Sequence, residues 1–291
     1  MDLAPTIQFE KWEDPKLCIL CGARDPRPLP GLGHLKRCRT CGHVQLSPRP
    51  TQAAIASSYD MRDGGTHSTW EAQSVGRERM WSKRADRATA YFQMPGQALD
   101  IGAGFGDFLA ELKLLGWDAV GTEVSEDAVR HAGRRGVEVL LGSLEDACLP
   151  GQSFDLVTMW HVLEHVPWPG RTLDECARLV RSGGMLIIGV PNDSLFPRLA
   201  GYFLAGRRPA IAALWGSRNP GEEIHLSFFS PRRLSHALER YRFATIEIGL
   251  DDHYPEPSVA TARSLRRNYA FWVATGRRFS VHRTIYAAAR R

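Results

Sequence analysis

The sequence predicts an α/β protein: a mostly parallel seven-stranded sheet with helices on both faces, preceded by a small cysteine-stapled ribbon. Three observations predict it. From residue 97 onward, short apolar runs alternate with helical stretches, the pattern of strands laid parallel and covered on both sides. The first of these runs, ALDI, opens into a glycine loop, GAGFG. Before the alternation begins, four cysteines stand as two C-x-x-C pairs.

Taken in chain order, the N-terminal stretch MDLAPTIQFEKWEDPK lacks the basic-then-apolar order of a signal peptide. No run of about 18 apolar residues suggests a membrane span. A soluble, cytoplasmic protein is therefore expected. Cys18 and Cys21 form one pair and Cys38 and Cys41 the other, each pair followed by glycine and separated by sixteen residues. Glycine after the second cysteine lets the backbone curl so that amide N–H groups face the thiolates, and four soft anionic ligands suit tetrahedral zinc. A site closed by four cysteines has no open position for substrate, so this zinc is structural. Disulfides are disfavoured in a cytoplasmic chain, and a redox C-x-x-C does not normally come as a matched pair. Cys148 and Cys176 lie outside the pattern and read as ordinary buried thiols.

Residues 1–50 thus form a zinc ribbon and residues 51–96 a helical connector. In the connector, SPRPTQAAIASSYD enters a short helix, and Ser74 to Phe92 reads as an amphipathic helix ended by Pro95 and Gly96. Residues 97–291 carry the alternating domain. Its strands are expected at Ala98 to Ile101, Ala119 to Glu123, Glu138 to Leu141, Phe154 to Trp160 and Met185 to Val190. After them come the helix SPRRLSHALERY, capped by Ser230 with Pro231 at its first position, and the strands ATIEIGL and RTIYAAA. Two segments break the rhythm. Residues 193–217 are apolar but interrupted by Arg207, Arg208 and Pro209, which suits a lid or a membrane-touching hairpin; residues 258–278 read as an extra basic helix.

The net charge of +5 is unevenly placed. From Pro257 to Arg291 there are eight arginines and no acid, leaving 29 basic against 32 acidic residues in the remainder. A basic tail of this kind can meet RNA, a membrane surface or an acidic substrate.

The glycine loop narrows the choice of ligand. Its spacing is G-x-G-x-G at Gly102, Gly104 and Gly106, and the sixth place of a dinucleotide fingerprint is occupied by Asp107. An acid at the start of the following helix repels a diphosphate, so a cofactor without phosphates fits better. Glu123, at the end of the second strand, can take both hydroxyls of a ribose, a role common to dinucleotide and adenosyl cofactors. The discriminating feature is the combination of Asp100, the glycine loop, Glu123, GSLED after the third strand and FDLVTMWHVLEHVP at the fourth.

With these motifs, the stretch from Gln97 to Leu250 and the terminal strand resemble a class I S-adenosylmethionine-dependent methyltransferase. The zinc pattern followed by PRP, together with HVLEHVPWPG, RLVRSGGMLIIGVPN and HLSFFSPRRL, resembles a branch of small-molecule and sugar methyltransferases with an N-terminal zinc ribbon. The resemblance implies a Rossmann-like sheet in which the Asp100 strand end and the backbone of Gly102, Ala103, Gly104 and Gly106 lie under the methionine part of the cofactor. It implies that Glu123 holds the ribose, that Val124 and Leu144 border the adenine, and that Trp160 and His161 flank the sulfonium. Ser143 stands where many relatives have an acid for the adenine amino group.

His161, Glu164 and His165 form H-x-x-E-H, a zinc-peptidase signature when it lies on a helix. Here it starts at a strand end and runs into VPWPG. These side chains are expected to face the acceptor, with His165 or His161 as general base, Glu164 orienting it, and His225 as a second base or anchor. Some related O-methyltransferases hold a divalent ion here with an acid-acid-histidine set, whose first acid is replaced by His161. A sulfonium is already poised to give up its methyl group, so the protein need only align the acceptor and remove its proton. The expected acceptor is an oxygen, secondarily a carbon, of a small metabolite or glycan. The alternatives are RNA, met by the ribbon and the basic tail, and a non-catalytic adaptor; the lid also suits peripheral contact with lipid-linked substrates. Against RNA, the fourth strand is followed by WHVLEH and not by the Asn/Asp-Pro-Pro-aromatic run of base-amine enzymes, and no Pro-Cys nucleophile is present.

Overall fold

The structure is a computed structural model that describes residues 12–30, 32–58, 78–193, 224–251 and 284–291. The ribbon holds β1 (Trp12–Glu13), β2 (Pro26–Leu29), β3 (Leu32–Cys38), β4 (Val44–Leu46) and β5 (Arg49–Pro50). The connector contributes α1 (Gln52–Ser58) and α2 (Glu78–Thr89). The main domain follows with β6 (Gln97–Ile101), α3 (Asp107–Leu114), β7 (Asp118–Glu123), α4 (Glu126–Arg134), β8 (Glu138–Leu141), β9 (Phe154–Trp160), α5 (Pro169–Leu179), β10 (Val180–Pro191), β11 (Ser227–Phe228), α6 (Pro231–Arg240), β12 (Ala244–Leu250) and β13 (Thr284–Arg290).

The main sheet has seven strands in the order β12-β13-β10-β9-β6-β7-β8. The ladders from β10 across to β8 are parallel, whereas β13 runs antiparallel to both β10 and β12. Side-chain alternation builds a core on each face. Leu99, Val157, Leu186, Ile188, Ala287 and Ala289 pack with Leu173 of α5 and Leu234 of α6. Their neighbours Ala98, Leu156, Met185, Ile187 and Ala288 point the other way, onto Ala85 of α2, Leu109 and Leu112 of α3 and Ala132 of α4. The mostly apolar central strands are therefore a consequence of burial on both sides.

Local signals set the helix starts. Ser125 and Ser230 cap α4 and α6, accepting from the N–H groups of Ala128 and Arg233. The strand after α5 differs from the sequence expectation only in length: β10 begins at Val180, and a register shift against β9 separates Val180 from Met185. In α2 the regular helix stops at Thr89, and a turn closed by Phe92 N–H on the Thr89 carbonyl follows. Cys176 is buried as expected, but Cys148 is exposed, because it lies on a turn with left-handed backbone (φ 48°) that carries its side chain to solvent. The expected lid and basic helix lie outside the described residues. No helix among the described residues is long and apolar enough to cross a membrane.

The ribbon is joined to the main domain by backbone as well as by packing. Its sheet has the order β11-β4-β3-β2, so that β11, which follows His225 in the main domain, completes a ribbon sheet. Cys18, Leu20 and Cys38 belong to the same core as α5 and α6. Tyr241 donates its hydroxyl to the Leu20 carbonyl, and Gly170 lies so close to that carbonyl that a Cβ would collide with it.

Candidate functional site

The glycine loop leaves the carboxyl end of β6, where a parallel sheet places its ligands. Gly102, Gly104 and Gly106 all have left-handed backbone, with φ of 67°, 54° and 76°. The Gly102 and Ala103 N–H groups both donate to the Thr122 carbonyl, at 2.8 and 3.0 Å, which folds the loop over β7. Gly102 is hemmed in by Val162 and Gly106 by Val137 and Ala132, whereas a Cβ on Gly104 would meet nothing within 4 Å. The crest of the loop therefore faces open space. Beside it, the buried Glu123 accepts from Gly104 N–H at 2.9 Å and from Ser125 N–H at 3.0 Å. Two backbone donors and the carboxylate hold each other in place ahead of any ligand.

Below the loop, Asp100 is buried and accepts the Thr158 hydroxyl at 2.6 Å. Burial pushes its carboxyl up to about 7, the Thr158 hydrogen bond opposes this, and the Glu123 charge adds to the rise. Val124, next to Glu123, is exposed. Ser143 turns its hydroxyl to Asp146 at 2.6 Å, and Leu144 points into the core. Trp160 packs edge-on against Phe108, with its ring N–H unpartnered among the described residues.

After Trp160 the chain makes a turn, not a helix. H-x-x-E-H thus lies outside the geometry that a peptidase needs. His161 is held in left-handed backbone (φ 59°) with its N–H on the Gly189 carbonyl at 2.9 Å. Its ring stands between two charges. Arg84 Nη2 approaches Nε2 to 3.4 Å, and Nδ1 lies 3.4 Å from Glu164 Oε1. Because guanidinium is only a donor, Nε2 is the acceptor and the ring proton sits on Nδ1, facing Glu164. Arg84 is itself buried between the rings of Trp81 and Trp160, at 4.9 and 4.7 Å, and bonded to Asp251 at 2.5 Å. Sequence reasoning passed over Arg84 and Asp251; the available signal was the i, i+3 spacing of Trp81 and Arg84 on one helix face.

Glu164 is buried among histidines. His165 Nε2 is 3.8 Å from Oε1, His165 Nδ1 lies 2.9 Å from the Ile224 carbonyl, and the rings of His165 and His225 are 4.9 Å apart. Burial pushes the Glu164 carboxyl up, but contact with His161 and the charges of His165 and His225 outweigh it and hold the group below its ordinary value. The ligand atoms of Glu164, His165 and His225 lie within 4.8 Å of one another. The Ile224 carbonyl fixes the His165 tautomer and leaves Nε2 with a lone pair toward Glu164. Neither Glu164 oxygen has a well-formed hydrogen bond among the described residues. The set fits a divalent cation on these grounds.

The four ribbon cysteines also converge, with Cys18–Cys41 and Cys21–Cys38 Sγ separations of 3.6 Å and all four atoms within 4.8 Å. Four sulfurs at ~2.3 Å from a tetrahedral zinc stand about 3.8 Å apart, so the set fits a structural zinc and is far too open for a disulfide. Gly22 and Gly42 take the left-handed turns (φ 75° and 73°) that close the two knuckles.

Residues 75–248 match the family described as Methyltransferase domain. The chain belongs to this family. It is a class I, S-adenosylmethionine-dependent methyltransferase in its fold. Among curated relatives, it is 36% identical to a ubiquinone biosynthesis O-methyltransferase of Methylococcus capsulatus over 34% of this chain and 45% of that protein. It is 31% identical to a demethylmenaquinone methyltransferase of Clavibacter sepedonicus over 60% of this chain and 73% of that one. The chain thus spans about half the length of the first of these relatives. Among solved structures, a methyltransferase from Archaeoglobus fulgidus superposes with a TM-score of 0.53 at 20% identity, over 77% of this chain and 99% of that one. A putative methyltransferase of Haloferax volcanii, solved with the Trm112 activator, gives 0.54 at 18% identity over 77% and 94%. These two likenesses concern the fold alone.

Proposed function

We propose that this methyltransferase transfers the methyl group of S-adenosylmethionine to an oxygen, secondarily a carbon, of a small metabolite or glycan. The observation that carries the reading is the Glu164–His165–His225 set around the buried Glu164, whose Glu164 and His165 follow the carboxyl end of β9 while the Gly104–Glu123 cradle lies at the carboxyl ends of the neighbouring parallel strands β6 and β7. Asp100, Gly102, Ala103, Gly104, Gly106, Glu123, Val124, Ser143, Leu144 and Trp160 form the cofactor side of the site. His161, Glu164, His165 and His225 form the acceptor side.

The chemistry balances simply. The methyl carbon passes from sulfur to the acceptor oxygen, the electron pair of the broken bond stays on sulfur, and the acceptor proton goes to His165 Nε2. Glu164 then faces the imidazolium it helped to form. Both ring nitrogens of His161 are engaged, by Arg84 and Glu164, so its role is to hold Glu164 in line. The ubiquinone and menaquinone relatives act on small molecules, which supports the same class of acceptor.

A second reading is favoured by the unsatisfied Glu164 oxygens: Glu164, His165 and His225 hold a divalent cation. Bound there, a cation would make an acceptor hydroxyl more acidic and orient it.

The test is transfer of isotopically labelled methyl into cell extract fractionated into RNA, protein and small molecules. Label in the small-molecule fraction is expected; label destroyed by ribonuclease would replace the proposed acceptor. His165→Ala should keep cofactor affinity and lose turnover by about 100-fold. Unchanged turnover would rule out His165, and turnover abolished by a chelator that leaves the cysteine-bound zinc in place, and restored by a divalent cation, would favour the second reading.

A further inference from the structure

The ribbon sheet carries a pair of arginines, with a third at its far end in α6, that neither the zinc site nor the methyl-transfer site uses. Arg27 of β2 and Arg37 of β3 are exposed and stand directly opposite each other in the antiparallel ladder. Directly opposed residues share one face, about 5 Å apart, and like charges there destabilise the pair. Continuing across the sheet in register, Arg37 pairs with Val44, and Val44 pairs with Phe228. Beyond Phe228 stands Arg233, whose Nε donates to the Phe228 carbonyl at 3.1 Å and whose Nη2 donates to the Asp193 carbonyl at 3.4 Å. The row thus runs from the outer edge of the ribbon to the end of β10. Phe228 lies three residues beyond His225 on the same short segment.

No ion pair joins Arg27, Arg37 or Arg233 to an acid among the described residues. Asp14 is taken by Lys16, Lys36 and Ser47, Asp25 by Thr40, and Glu13 by Arg49, and the buried Asp193 carboxylate accepts from Phe229 N–H. Burial, together with the charge of Arg37, lowers Arg233 to about 10. Arg24 and Arg39, both exposed, flank the row. Guanidinium groups paired across a rigid hairpin present forks of donors that match phosphate oxygens.

We propose that the acceptor carries a phosphate ester or diphosphate, and that Arg27, Arg37 and Arg233 hold that group while the methyl-accepting atom reaches His165 and His225. The proposal rests on the small-molecule reading of the catalytic site and adds its substrate class. A nucleic acid is the poorer occupant. Its affinity comes from many phosphate contacts spread over a surface, whereas this row is narrow and, outside the last 35 residues, acids outnumber bases by 32 to 29.

The experiment uses the full, zinc-loaded chain and inorganic pyrophosphate as probe, followed by calorimetry. Wild type is expected to bind the probe, the R27Q/R37Q double variant to bind it about 10-fold more weakly or worse, and both to bind S-adenosylmethionine and zinc alike. Both substitutions are at exposed positions, so folding is not at stake. Absence of pyrophosphate binding, or binding indifferent to the two substitutions, overturns the proposal. So does tighter, steeply salt-dependent binding of a short single-stranded oligonucleotide through the same arginines, which would make the partner a nucleic acid. Analysis of the methyl-labelled small molecule separates the two layers of argument. A labelled product that yields inorganic phosphate on phosphatase treatment supports the proposal, and a phosphate-free labelled product overturns it while leaving the small-molecule methyltransferase reading intact.

Discussion

Asp100→Asn should make the protein more stable at alkaline pH and leave it nearly unchanged in acid. In the unfolded chain the carboxyl ionises near 3.8, whereas in the fold burial raises it to about 7, aided by the Glu123 charge and opposed by Thr158 and Arg84. The charged form is therefore the unfavourable one. Below the unfolded value both states are protonated and there is no penalty. As pH rises from there the unfolded chain gives up its proton first, stability falls, and the loss levels off above about 7. A change of this size corresponds to about 4 kcal/mol. Asparagine keeps an oxygen for the Thr158 hydroxyl and carries no charge at any pH. Urea unfolding of wild type and variant should show a gap of several kcal/mol at about pH 8 that closes toward about pH 4. Titrating groups that do not interact with Asp100 cancel in the difference. Saturating S-adenosylmethionine should narrow the gap at high pH, because its cationic groups favour the ionised aspartate. A gap independent of pH, or a less stable variant at pH about 8, would refute the reasoning.

Further outcomes follow from the same geometry. Glu123→Ala removes the acceptor of Gly104 and Ser125 N–H, bonds worth about 1.5–3 kcal/mol each; S-adenosylmethionine affinity by calorimetry should fall by about 100-fold. Gly106→Ala drives a methyl into Val137 and Ala132 at φ 76°, costing about 2–4 kcal/mol in chemical denaturation. Gly104→Ala meets open space, so it should cost only about 1–2 kcal/mol of backbone strain while obstructing the cofactor. Stripping zinc from the cysteines should abolish turnover but shift S-adenosylmethionine affinity less than about threefold. The reason is that β4 loses its anchor and β11, just beyond His225, loses its partner; a metal-free chain that turns over normally would disprove this link.

Much of the candidate site was legible because its signals are local. Two C-x-x-C-G knuckles, the glycines of a left-handed loop, an acid at the next strand end and the Ser230-Pro231 cap each act within a few residues of themselves. So does the alternation that sends Leu99 to one face of the sheet and Ala98 to the other. Two expectations differ from the structure for different reasons: Cys148, in left-handed backbone, is exposed, and β10 starts early because Val180 pairs with the distant Phe154 before the register shifts.

Sequence alone therefore determined the fold class, the ribbon cysteines, the glycine loop and the neighbourhood of the candidate acceptor histidines. Only the tertiary structure decided that Arg84 and Asp251, 167 positions apart, pair behind His161, that Ile224 sets the His165 tautomer, and that a two-residue strand after His225 completes the ribbon sheet. The physical reason is the range of the interactions. Caps, turns and alternation are written in consecutive residues, but a buried ion pair or a two-residue ladder exists only once chain closure has brought distant segments together, and it leaves no period to read.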